Sequence, residues 1–156
     1  MDQEEYARRA YALKERLYRT ARLYLGSDAL ALDAVDEAVY KGLLACKKLK
    51  EPDYFNTWLT RILINVCNDE LRRRGREVAL AELPESAVEE FDALPLKEAV
   101  ERLPRELRGV IALRYFAGYT LAETAQILAV PQGTVATRQR RALALLRLEL
   151  TEGDET

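Results

Sequence analysis

Residues 119–147 read YTLAETAQILAVPQGTVATRQRRALALLR. Thr120, with Glu123 three residues on, has the spacing of a capping box, and Leu121, Ala125 and Leu128 follow as one apolar stripe. Ala129-Val130-Pro131 interrupts that run with a proline suited to the first position of a new helix. Val135, Ala142 and Leu146 are the inward positions of that second helix. The segment therefore reads as a helix-turn-helix. Thr134, Thr137, Arg138, Arg140 and Arg141 fall on the early, exposed part of its second helix. A helix so equipped suits the major groove, with arginine reading guanine edges and hydroxyls or further arginines holding phosphates. Taken alone, the segment also admits a plain helical hairpin with a solvated basic face.

Working outward, Leu96, Val100 and Leu103 mark a helix after Pro95, and Pro104 restarts the chain for another carrying Leu107, Val110, Ile111 and Leu113. Near the start, Tyr6, Ala10, Leu13, Leu17, Ala21 and Tyr24 recur at spacings of three and four, which predicts a helix over 5–24 ended by Gly26. Ser27 or Asp28 caps a second helix running to about residue 49 through Leu32, Val35, Val39, Leu43 and Cys46. Pro52 then breaks the pattern, and Asp53 or Asn56 caps a third helix carrying Trp58, Leu59, Ile62, Leu63 and Val66 to about residue 74. Eight acidic residues (Glu77, Glu82, Glu85, Glu89, Glu90, Asp92, Glu98 and Glu101) then face the single Lys97, with Pro84 and Pro95 among them. The fold expected is all-α: two small helical domains, 1–76 and 95–156, joined by an acidic linker over 77–94. The second contains the helix-turn-helix. Each lobe lies near the lower size at which a domain buries enough apolar surface to fold alone, so both are expected to be marginally stable.

The chain of 156 residues is 49% hydrophobic, with 24 basic against 26 acidic side chains, so net charge alone says little about partners. It contains no histidine, the commonest general base, and no Gly-rich phosphate loop, which weighs against an enzyme. Cys46 and Cys67 make neither a metal-ligand set nor a disulfide framework, and each is expected to pack as a small apolar residue; no cofactor is expected. The acidic, polar start and the absence of a long apolar run predict a cytosolic chain.

Charge is distributed unevenly. Arg61, Arg72, Arg73, Arg74 and Arg76 stand against Asp69 and Glu70 near the end of the third helix, while Arg138, Arg140, Arg141 and Arg147 have no acidic residue between Ala129 and Leu148. Guanidinium groups fit phosphate oxygens bidentately, and neutralising phosphates releases counterions, so two basic surfaces on a near-neutral chain suit a nucleic-acid partner. By composition alone, solvated helix faces would serve as well.

Taken in order, these residues resemble the sigma-70 family of bacterial RNA polymerase sigma factors, in its extracytoplasmic-function class. Asp33-Ala34-Val35-Asp36-Glu37-Ala38 resembles the helix of conserved region two that docks on the polymerase clamp. Thr57-Trp58-Leu59-Thr60-Arg61-Ile62 through Asn65, with Asp69-Glu70-Leu71-Arg72-Arg73-Arg74, resembles the promoter-melting helix. Leu103-Pro104-Arg105-Glu106, residues 113–120 and residues 130–138 resemble conserved region four.

The resemblance implies a transcription initiation factor that binds the clamp and flap of core RNA polymerase together with promoter DNA, with no small-molecule substrate. Asp33, Asp36 and Glu37 would meet polymerase; Asp33 and Glu37, like charges at i, i+4, want a basic partner. The loop from Lys50 to Phe55 would receive a flipped minus-ten base, with Tyr54 and Phe55 placed to stack, Asn65 bonding nearby and Arg61, Arg72 and Arg73 holding the strand. Trp58, on the apolar stripe beside Ile62, is read first as core and second as a stacking platform. Thr134, Thr137, Arg138, Arg140 and Arg141 would read the minus-thirty-five element. The linker would thread polymerase channels, and a membrane-anchored anti-sigma protein would hold the factor inactive. Four positions depart from the family's pattern: Asp36 for glutamine, Ala129 for the glycine of the turn, Gln139 for an apolar residue, and Ala136 where a longer side chain can stand. The alternative is a free-standing helix-turn-helix regulator that needs no polymerase.

Overall fold

The computed structural model describes residues 1–78 and 94–154, and every regular element among them is helical. Most of the acidic linker lies outside the described residues. Helix α1 (Gln3–Leu25) starts where the Asp2 carboxylate accepts the Glu5 N–H at 2.8 Å, and ends at Gly26, whose φ of 74° needs glycine. Ser27 caps α2 (Asp28–Ala45), which tightens into a 3₁₀ turn at Cys46–Lys48. A second 3₁₀ turn, Pro52–Tyr54, leads directly into α3 (Phe55–Val78), so Asn56 lies inside the helix and is not its cap.

The second lobe begins with α4 (Leu94–Arg102) and α5 (Arg105–Ile111), with Pro104 at the junction. A π-helical turn, Ala112–Phe116, and Gly118 at φ 79° follow. Helix α6 (Leu121–Leu128) has the capping box read from its sequence: Glu123 N–H to Thr120 Oγ1 at 3.1 Å, and Thr120 N–H to Glu123 Oε1 at 2.9 Å. Helix α7 (Gln132–Asp154) begins one residue after Pro131, whose carbonyl accepts from the N–H groups of Thr134 and Val135.

Ala129 joins α6 to α7 in the left-handed region, at φ 57° and ψ 45°. That conformation brings Cβ against the following carbonyl, which is why a glycine there would be unstrained. Ala129→Gly is expected to raise stability by about 1 kcal/mol, a rise of roughly 2–4 °C in Tm for a chain of this size. Thermal melting followed by circular dichroism checks it, and an unchanged or lower Tm would show that the turn bears no such strain.

The first lobe is a three-helix bundle. Tyr6, Ala10, Leu13 and Leu17 of α1 meet Ala31, Val35 and Ala38 of α2 and Leu59, Leu63 and Val66 of α3, all buried. The two lobes share this core. Leu113, Ala117, Tyr119 and Ile127 of the second lobe join the first lobe's cluster, while Leu23 of α1 joins Ala99, Val100, Leu103 and Ile111. Residues 20–25 of α1 are therefore buried all round, where amphipathicity would leave one side wet.

Polar groups align the joint. The Arg22 side chain, 8% exposed, spans Asp28 at 2.8 Å and Glu101 of the other lobe at 3.0 Å. Arg16 donates twice to the Ala117 carbonyl, at 3.1 and 2.6 Å, and lies over the Tyr119 ring. The hydroxyls of Thr60 and Tyr119 share a buried bond of 2.7 Å. Gly109 permits the approach of α5, since a Cβ there would come within 2.9 Å of the Tyr24 ring.

Candidate nucleic-acid interface

Helix α7 packs through Val135, Ala142 and Leu146, and helical spacing places Arg138 on that same stripe. Its side chain is only 23% exposed and its guanidinium reaches Glu106 of α5 at 4.0 Å. Of the residues expected to read the minus-thirty-five element, Thr137, Arg140 and Arg141 are exposed, and Thr134 and Arg138 are half-buried. Arg140 donates to the Thr137 hydroxyl at 3.3 Å, so the two form a joint ridge.

On α3, Arg61, Asn65, Arg72 and Arg73 are exposed, and Lys50 is exposed in the loop before it. Arg72 pairs with Asp69 and Arg73 with Glu70, both at i, i+3, which orients the two guanidinium groups along the helix. Tyr54 is half-buried and, with Arg61, faces Gln126, Ala129 and Pro131 of the helix-turn-helix across an open cleft of about 510 Å³.

Phe55 corrects the sequence reading. Its ring is 1% exposed, stacked edge-on to Tyr6 at 5.8 Å and tilted against Trp58 at 6.0 Å. With no face open, it has no surface for a base; it anchors the first turn of α3 in the core. Trp58 sits edge-on to Tyr6 at 6.4 Å and is part of that packing. Tyr54 is left as the aromatic side chain nearest the loop's surface.

Asp33, Asp36 and Glu37 are exposed on α2, and Glu37 pairs with Lys41 at 3.2 Å, so one member of the like-charge pair is already compensated within the helix. Beside them runs a groove of about 410 Å³ between α1 and α2, with Tyr11, Val35, Asp36 and Tyr40 among its walls. Tyr11, Leu32, Tyr40 and Leu44 stand exposed along the same side. Aromatic and aliphatic groups beside carboxylates are the composition of a protein-binding surface.

One pairing escaped the sequence reading, which met Arg114 only inside a motif and Gln139 only as a polar departure from an apolar position. Arg114 and Gln139 are bonded to each other across the second lobe, Nε to Oε1 at 3.0 Å. The only local signal was a polar residue at the edge of an inward stripe.

These features define a two-lobed helical protein of the helix-turn-helix DNA-binding class. Residues 11–77 match sigma-70 region 2 and residues 99–148 match sigma-70 region 4. The chain is 31% identical to RNA polymerase sigma factor SigV of Bacillus subtilis, covering 90% of this chain and 88% of that one. It is 32% identical to the ECF RNA polymerase sigma factor SigM of Mycobacterium tuberculosis, over 83% of this chain and 69% of that one. In fold it is similar to the sigma factor RpoE of Bartonella quintana, solved in complex with the anti-sigma factor NepR, with a TM-score of 0.85, 23% identity and coverage of 95% and 98%. CnrH, solved with the cytosolic domain of CnrY, has the same fold at a TM-score of 0.75 and 22% identity, over 97% and 90% of the two chains. The chain belongs to the sigma-70 family: it is an alternative sigma factor, directing core RNA polymerase to promoters. Among its described residues no helix is long and apolar enough to cross a membrane.

Proposed function

We propose that the two lobes divide promoter opening between them. The first lobe docks on the polymerase clamp through Asp33, Asp36 and Glu37. It holds the minus-ten strand with Lys50, Tyr54, Arg61, Asn65, Arg72 and Arg73. The second lobe meets the flap and reads the minus-thirty-five element with Thr137, Arg140 and Arg141, while Thr134 flanks the contact. The observation that carries this reading is the pair of basic surfaces, one on each lobe, on an otherwise near-neutral chain. Catalysis is left to polymerase. An anti-sigma partner, of the kind bound by the structural relatives, covers the exposed α1–α2 groove when the factor is held inactive, and the factor works on the cytoplasmic side.

The two promoter elements lie about 25 base pairs apart, or roughly 85 Å along the duplex at 3.4 Å per step. A compact chain of 156 residues is only about 40 Å across. The packed lobes therefore separate when both elements are engaged, breaking the Thr60–Tyr119 and Arg22–Glu101 contacts.

Run-off transcription with core RNA polymerase and a fragment library of the source genome tests the reading. Transcripts that start below a shared upstream motif only when the chain is present support it. Salt-sensitive duplex binding without polymerase association points instead to a free-standing regulator. Within the first outcome, Arg141→Ala is expected to weaken binding to the promoter duplex about 10- to 100-fold, the size of one base or phosphate contact, with polymerase association unchanged. Equal loss of both in a folded variant would reject the division of labour.

A further inference from the structure

We propose that Arg114 is a positioning residue for promoter reading, setting the recognition helix through Gln139 without itself touching DNA. The inference rests on the reading of the second lobe given above. Arg114 stands on the π-helical turn Ala112–Phe116, between α5 and the start of α6. Its Nε donates to Gln139 Oε1 on α7 at 3.0 Å, and its Nη1 donates to the Tyr119 carbonyl at 2.8 Å. Tyr119 immediately precedes Thr120, the cap of α6. One planar guanidinium thus ties the entry of the first helix of the motif to the middle of the second.

The chemistry selects arginine at this place. Only a guanidinium carries N–H groups fixed in a plane at angles that reach two acceptors on separate elements; an ammonium is a single point donor. Because arginine donates and never accepts, Gln139 must turn its amide oxygen inward. Gln139 is half-buried at the edge of the Val135, Ala142 and Leu146 stripe, away from the exposed Thr137, Arg140 and Arg141. The bond therefore sets the rotation and seating of α7 from behind, while the reading side chains project in front. The π turn contributes as well: its wider loop, closed by Ala117 N–H to the Ala112 carbonyl at 2.9 Å, carries Arg114 toward α7. This also accounts for a polar residue at position 139, where the family pattern is apolar. Its neighbour is a hydrogen-bonding cation.

Holoenzymes assembled from core polymerase and the full chain, carrying Arg114→Gln, Gln139→Leu or Gln139→Glu, are titrated with the promoter duplex selected by run-off transcription, across a range of salt concentrations. Arg114→Gln and Gln139→Leu are expected to weaken binding about tenfold, the size of a lost hydrogen bond to a charged group, with the slope of log affinity against log salt unchanged. Gln139→Glu, whose carboxylate accepts the same bond, is expected to stay within about twofold of the unaltered chain. A salt slope reduced by about one in Arg114→Gln would make Arg114 a phosphate contact and overturn the proposal. Full affinity in folded Arg114→Gln or Gln139→Leu would overturn it equally. Should Arg114→Gln not fold, the two Gln139 variants decide, since loss with Leu and retention with Glu is the signature of the bond. An unaltered holoenzyme that does not bind the duplex would reject the promoter reading itself, and the assignment with it.

Discussion

With Asp33 and Glu37 both replaced by lysine, the chain is expected to lose its retention on core RNA polymerase while its fold survives. Both side chains are exposed on α2, one turn apart. Surface substitutions away from caps, cores and networks seldom move stability by more than about 0.5 kcal/mol, so the variant should melt close to the unaltered chain. At an interface the same change is severe. A basic partner that met two carboxylates would meet two ammonium groups, and juxtaposed like charges cost several kcal/mol, a loss of about 10³-fold or more in affinity. Co-elution of the variant with polymerase on size exclusion, beside a matched melting curve, checks the expectation. Retained association would reject this face of α2 as the clamp contact. The Glu37–Lys41 pair makes a milder control possible: Lys41→Ala removes the internal neutralisation and should leave association intact.

Gly42→Ala is expected to be the most destabilising single methyl in the first lobe. Gly42 lies where α2 crosses α1 and α3, and a Cβ there would collide with the Tyr6 hydroxyl while coming within 2.9 Å of Leu59 Cδ1 and 3.0 Å of Tyr6 Cζ. The Tyr6 hydroxyl cannot simply swing away, because it donates to the Val39 carbonyl at 2.5 Å and its ring is fixed between Phe55 and Trp58. Overpacking and the disturbed buried hydrogen bond together should cost about 2–4 kcal/mol, or roughly 5–15 °C in Tm. Against a total stability of about 5–15 kcal/mol, that is a large fraction. Placing Gly42→Ala in a Tyr6→Phe background removes the oxygen that the new methyl meets, so the two substitutions should be non-additive by more than about 1 kcal/mol. Additive effects would show that the helices relax apart at this crossing, and that the close approach is not held by Tyr6.

Burial pushes the Tyr6 and Tyr24 phenols up to about 12, so neither acquires charge near neutral pH. The Asp28 carboxyl is held below its usual range by the Tyr18 hydroxyl and then by the Arg22 guanidinium. Asp28 therefore stays ionised as a partner of Arg22 at neutral pH.

What the chain's order of residues decided by itself is local. Gly26 ends α1 and Thr120 boxes α6 because caps are made within four residues, and the strain at Ala129 follows from a turn that wants glycine. The amphipathic spacing placed the helices, and the ordered motifs across them placed the family. The half-burial of Arg138 was also present in the spacing, three residues after Val135 at the edge of the same stripe. Its charge masked that position.

Tertiary structure alone decided the rest. Phe55 stands next to a loop in sequence and is buried because Tyr6, far away along the chain, packs on it. Arg16, Arg22 and Thr60 carry polar groups that a sequence assigns to solvent; Arg22 and Thr60 are buried and Arg16 is half-buried because their partners, Glu101, Tyr119 and Ala117, arrive from the other lobe. The Arg114–Gln139 bond forms only once the π turn has brought two helices together. Caps and periodicities depend on a few neighbouring dihedral angles and are written along the chain. Pairings across a joint depend on how whole helices meet, which is settled only when the apolar faces of both lobes close on one another.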